Sequence, residues 1–164
     1  MRRTIVAGAL LMTCAGALAA QRPLVVTVQN LNAKSRGSQS QAVLSGDVLQ
    51  YQLRFTNQSQ GNVRGVVFTN PVPAGLRYVD GSAGADRQDV VVEYSTDGGK
   101  TYAANPLVTE VVAGKRVQKP ASPAQYTHVR WTVRGSIAPG ASVTAEFRAA
   151  MPAAQPAPDS SSHQ

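Results

Sequence analysis

The stretch from Gly46 to Val79 reads GDVLQYQLRFTNQSQGNVRGVVFTNPVPAGLRYV, and it alternates with a period of two before breaking into turns. Leu49, Tyr51, Leu53 and Phe55 share one face of an extended chain, while Gln50, Gln52 and Arg54 share the other. That pattern makes a strand with one dry face. The Asn57 to Asn62 cluster then reads as a turn and Val63 to Thr69 as a second apolar run. Asn70-Pro71-Val72-Pro73-Ala74-Gly75 punctuates the chain before Leu76 to Val79 resumes.

The remaining signals are also β. Leu24 to Val28 is a β-branched run just after Pro23 and predicts a strand. Asn30 to Gln41, rich in Ser, Gln and Asn with Lys34, Arg36 and Gly37, reads as a flexible loop or linker over 30–41. Val90, Val92 and Tyr94 alternate, as do Val129, Trp131 and Val133, and as do Val143, Ala145, Phe147 and Ala149. Each set supplies one apolar face. Ala138-Pro139-Gly140-Ala141 is a turn between the last two, and Pro152 to Gln164 reads as a disordered tail. Seven to nine short strands with Pro/Gly turns predict an all-β fold, an immunoglobulin-like antiparallel β-sandwich over residues 21–151.

Residues 1–20 carry a different signal. Met1-Arg2-Arg3 is a basic start, Ile5 to Met12 an apolar stretch, and Ala17-Leu18-Ala19 an A-x-A cleavage site, so this segment reads as a signal peptide. The rival reading is a lipoprotein signal, in which Leu11-Met12-Thr13-Cys14 is the lipobox and Cys14 is acylated. The apolar part is shorter than the roughly 20 residues a membrane-spanning helix needs, so no transmembrane span is expected in the mature chain. Cys14 is the only cysteine. A mature chain starting near Gln21 then has no disulfide and no thiol chemistry, and its stability rests on a hydrophobic core.

Gly46-Asp47, Thr56-Asn57, Gly61, Pro73-Ala74-Gly75-Leu76 and Tyr78-Val79 occur in a recognisable order. The order resembles the conserved repeat domain of bacterial surface and secreted proteins, catalogued as domain of unknown function eleven, here in a single copy. Asn70-Pro71 departs from the pattern, since such repeats usually carry an acidic residue there and no first proline. The resemblance implies a sandwich and a location in the periplasm, at the cell surface or outside the cell.

Charge narrows the partners. With Arg2 and Arg3 removed, 14 basic residues stand against 9 acidic ones, and the surplus is scattered without a run of five or a helical stripe. Nucleic acid is not an expected partner, because export removes it and no recognition helix or aromatic platform is visible. The sharpest motif is Ser95-Thr96-Asp97-Gly98-Gly99-Lys100-Thr101-Tyr102, the Asp-box form S-x-D-x-G-x-T-aromatic. It marks a hairpin in which Asp97 accepts backbone hydrogen bonds, Gly98 and Gly99 take positive φ and Tyr102 packs beneath, with a direct ligand role as the alternative.

Asp80, Asp86 and Asp89 lie in one polar loop, where they read as a solvated acidic loop or, alternatively, as calcium ligands, although their spacing fits no ordered calcium motif. Trp131 is expected in the core. His128 falls on the polar strand face with Tyr126, Arg130, Thr132 and Arg134, and His163 lies in the tail. No nucleophile elbow or metal-ligand pair is present, so no catalytic residue and no cofactor is expected. The expected function is a non-enzymatic structural or adhesive module of the cell envelope that contacts other surface proteins or itself. The alternative is a binding module for a glycan or an anionic envelope polymer.

Overall fold

The computed structural model describes residues 23–36 and 42–154. The expected signal peptide with Cys14, part of the 30–41 loop, and most of the tail with His163 lie outside the described residues. Within them the protein is an all-β sandwich of two antiparallel sheets with five and three strands, as expected, and a separate two-stranded hairpin brings the total to ten. The strands that no alternation marked are the two-residue one at Gly84–Ala85 and the hairpin pair Leu107–Val112 and Lys115–Pro120.

The first sheet has the order β1 (Leu24–Asn30), β2 (Val48–Thr56), β10 (Ser142–Ala150), β4 (Arg77–Tyr78), and β5 (Gly84–Ala85) also pairs with β10. The second sheet has the order β3 (Val67–Pro71), β9 (His128–Val133), β6 (Val90–Ser95). A separate two-stranded hairpin joins β7 (Leu107–Val112) to β8 (Lys115–Pro120). Pro71 ends an edge strand, where the absence of an N–H costs no ladder bond.

The core lies where the alternating faces meet. Leu49, Tyr51 and Leu53 of β2 and Val143, Ala145, Phe147 and Ala149 of β10 face Val129, Trp131 and Val133 of β9 and Phe68 of β3. Tyr51 stacks on Phe147 with centroids 4.8 Å apart, and Trp131 stands between Phe68 at 5.8 Å and Phe147 at 6.0 Å. The indole is fully buried, and its Nε1 donates to the Gly84 carbonyl at 3.0 Å. Burying the ring therefore leaves no orphaned donor.

Three buried polar residues fix the loops. Asp47 accepts two hydrogen bonds from Arg36, at 2.7 and 3.1 Å, one from Asn30 Nδ2 at 2.7 Å and one from the Leu44 N–H at 2.9 Å. The Arg36 guanidinium, then the Asn30 amide, holds this carboxyl far below the usual carboxylate range. Asn57 donates to the carbonyls of Gly61 and Ile137, both at 2.8 Å, while its oxygen accepts from the Ser59 N–H and hydroxyl. Ser95 anchors the third loop, described below.

Two expectations are refined. The stretch read as a flexible loop or linker contains the end of β1 and a one-turn helix α1 (Leu31–Ser35). Asn30 Oδ1 accepts from the N–H groups of Asn32 and Ala33 and so caps that turn. Tyr126, placed by parity on the polar face of β9, instead packs on the core against Tyr94 at 4.5 Å and Tyr78 at 5.4 Å. A 3-10 turn at Pro123–Gln125 precedes it and β9 begins only at His128, so the period of two does not extend back to Tyr126.

Candidate functional site

The Asp97 hairpin brings together the residues its motif predicted. β6 ends at Ser95, whose buried hydroxyl donates to Asp97 Oδ1 at 2.7 Å and accepts from the Gly99 N–H at 2.9 Å. Asp97 Oδ1 also accepts from the N–H groups of Lys100 and Thr101, both at 3.0 Å, and Oδ2 accepts from the Thr101 hydroxyl at 2.6 Å. The Thr101 hydroxyl, then its N–H and the Ser95 hydroxyl, holds the Asp97 carboxyl well below its ordinary range. Both carboxylate oxygens are thus engaged inside the turn. Such a group is held ionised by the donors of its own turn, which suits it to bracing a loop and not to proton transfer.

Gly98 and Gly99 take φ of 76° and 85°, a region that favours glycine. The two positions differ in what surrounds them. A Cβ on Gly98 would meet nothing within 4 Å, whereas one on Gly99 would stand 3.0 Å from the Tyr102 hydroxyl and 3.4 Å from the His128 ring. Tyr102 also carries Arg130, whose guanidinium carbon lies 4.2 Å from the ring centroid. Arg130 in turn donates to Glu93 Oε2 at 2.8 and 3.1 Å. Sequence reasoning found the hairpin but not this Glu93–Arg130–Tyr102 stack, which forms because Glu93 and Arg130 stand opposite each other in the β6–β9 register.

The three aspartates proposed as alternative calcium ligands have separate tasks. Asp89 is paired with Arg87 and accepts from the Gly135 N–H at 3.0 Å, while Asp86 accepts from the Thr144 N–H at 3.0 Å. Asp80 is exposed in a turn. Among the described residues no group of three His, Cys, Asp or Glu side chains is arranged to hold a metal ion. His128 has its Nδ1 3.3 Å from the Thr127 hydroxyl, itself bonded to the Ser95 carbonyl. A shallow depression of about 310 Å³ on the first sheet is lined by Gln52, Gly84, Ala85, Asp86, Thr144 and Glu146. Its carboxylates are already engaged, Asp86 by Thr144 and Glu146 by the Gln50 amide at 2.7 Å.

The more open feature is the β1 edge. In the β1–β2 register Val26 stands opposite Leu53 and Val28 opposite Tyr51, so both valines point to the inner side of the sandwich. Yet Val26 is 45% and Val28 54% exposed, whereas Leu53 is 0% exposed. The second sheet therefore ends before it covers β1. Among the described residues no strand pairs with the outer edge of β1 either.

No family model and no curated protein matches this chain. No described helix is long and apolar enough to cross a membrane.

Proposed function

We propose that the chain is an exported, non-enzymatic structural or adhesive module of the bacterial cell envelope, of the repeat-domain type in single copy. It acts through protein–protein contacts made by the open edge of β1, in the first place with a second copy of itself. The observation that carries this reading is the pair of inward-pointing but uncovered valines on a strand whose outer edge has no partner among the described residues. Natural sheets guard such edges with Lys, Pro or bulges. The seven residues of β1, LVVTVQN, contain no charge and no proline.

An uncharged edge suits pairing with its own copy. Antiparallel addition across a twofold axis brings the same strand to both sides, so any charge on it would be present twice along the seam. Centred on Thr27, the pairing sets Val26 beside Val28 of the second copy and makes a stripe of four valines. Covering half-exposed valines contributes roughly 1 kcal/mol each, against an association cost of about 4–15 kcal/mol. With the added strand hydrogen bonds, a weak, concentration-dependent complex is expected.

Of the residues on which the repeat-domain resemblance rests, Asp47 and Asn57 are buried loop anchors and Gly46 takes a φ of 84°. Arg36, Arg87, Lys119 and Arg130 are each paired with a carboxylate of the same chain, so these four cations are not free for a glycan or anionic polymer. The test is the molar mass of the chain from Gln21 onward by size-exclusion chromatography with light scattering over a range of concentrations. The wild type should form dimers or larger species as concentration rises, and Val26→Lys should remain monomeric with an unchanged circular dichroism spectrum. A wild type that stays monomeric up to several hundred micromolar would overturn the reading.

A further inference from the structure

The β7–β8 hairpin leaves the sandwich and buries neither face over its outer half. Every residue from Val111 to Pro120 is exposed, with Val111 at 69% and Val112 at 57%. Pro106 and Ala121 root it, through the Ala121 N–H and the Pro106 carbonyl at 2.8 Å, and both are buried. An isolated two-stranded ribbon is marginal in water, so one with an apolar tip is best stabilised against another surface.

The register defines the chemistry of that surface. Val111 stands opposite Arg116 and Val112 opposite Lys115, so each face of the tip presents one valine beside one cation. The turn between them is the small pair Ala113-Gly114. Lys119 is paired with Glu110 at 2.6 Å, whereas neither Lys115 nor Arg116 has an ion-pair partner among the described residues. A short apolar point with free cations alongside matches the boundary between acyl chains and anionic headgroups. There the valines enter the apolar side, and the long Lys and Arg side chains reach back to phosphate.

We infer that the β7–β8 tip is a docking arm for an anionic phospholipid surface, using Val111 and Val112 as the inserting residues and Lys115 and Arg116 as the headgroup ligands. Charge complementarity favours this surface over a neutral one, and the two valines, one on each face of the tip, favour a bilayer over a soluble polyanion, which offers nothing apolar to enter. The arm is separate in sequence and in sheet from the β1 edge, so it stands or falls independently of self-assembly.

The test is co-sedimentation of the chain from Gln21 onward with vesicles of phosphatidylglycerol and phosphatidylcholine in equal parts, and with vesicles of phosphatidylcholine alone. Binding should appear with the anionic vesicles, weaken with salt, and be negligible with the neutral ones. Each cation near such a surface strengthens binding roughly fivefold, so Lys115→Gln with Arg116→Gln should weaken it roughly 25-fold. Val111→Ser with Val112→Ser should weaken it several-fold at unchanged charge. All four positions are exposed, and an unchanged urea midpoint identifies variants that fold normally. The inference is overturned by absent binding to anionic vesicles, by equal binding to both vesicle types, or by binding that ignores the valine pair. Equally tight retention by polyglutamate would also overturn it, assigning the arm to a soluble polyanion.

Discussion

The glycine pair of the Asp97 hairpin offers an internal control, because the two residues share a backbone conformation but not their surroundings. Gly98→Ala places a Cβ at φ 76° with nothing within 4 Å, so only the backbone objects. The left-handed conformation costs an L-residue roughly 1–2 kcal/mol, and alanine returns about 0.4–1 kcal/mol by restricting the unfolded chain. The expected net loss is near 1 kcal/mol. Gly99→Ala pays the same at φ 85°, and its Cβ also presses on the Tyr102 hydroxyl at 3.0 Å. Tyr102 must then shift beneath Arg130, disturbing a cation–π contact worth about 0.5–1 kcal/mol at a partly exposed site. The Gly99 variant should therefore be the worse of the two by roughly 0.5 kcal/mol. Urea unfolding followed by the fluorescence of the single tryptophan, Trp131, and by circular dichroism measures both. Equal losses, or a larger loss at Gly98, would refute the claim that Tyr102 is packed against this turn.

Further outcomes are expected elsewhere. Gly135→Ala should lower the urea midpoint, since its Cβ would overlap Asp89 Oδ2 and crowd Arg87, while Gly61→Ala, with nothing near its Cβ, should be close to neutral. Trp131→Phe should cost about 2–4 kcal/mol by circular dichroism, from the cavity left by the smaller ring and an unpaired Gly84 carbonyl; a loss under about 0.5 kcal/mol would remove Trp131 from the core. The depressed Asp97 carboxyl stabilises the fold above its ordinary value of 3.8, and that contribution is lost as pH falls from there toward the lower folded value. Urea midpoints between pH 5 and pH 2 should accordingly fall less steeply in Asp97→Asn than in the wild type, and parallel curves would argue against an ionised carboxylate in the turn.

Strands that bury one face were readable because burial imposes alternation: Leu49, Tyr51 and Leu53, or Val129, Trp131 and Val133, each announce a core-facing side. The Asp97 turn was readable for the same kind of reason, since its hydrogen bonds are local and demand fixed spacing. What sequence reasoning missed lacks such a constraint. β8 and the outer end of β7 are exposed on both sides and carry valines next to cations, so they show no dry face, and Ala113-Gly114 is a weak turn signal beside Asn-Gly. Arg36, inside the stretch that reads as linker, meets Asp47 across residues 37–46, and only the fold makes them neighbours. That the second sheet stops short of Val26 and Val28 is a property of how the sheets overlap, which no strand states by itself.

The order of strands in the first sheet also has a mechanical meaning. β1 and β10 both run antiparallel to β2, one on each side, so they are parallel to each other. The segment before β1 is bonded near Thr56, through the Thr56 N–H and the Pro23 carbonyl, whereas Met151 after β10 is bonded near Asp47 at the other end of β2. A tension applied between the beginning of β1 and the end of β10 therefore pulls along the strands. It loads the seven residue pairs of β1–β2 together, and likewise the nine of β2–β10, instead of peeling them open one after another. A sheet strung in this way resists stretching by shear, and it would yield far more easily to a force applied across β1 than to one drawn through its ends.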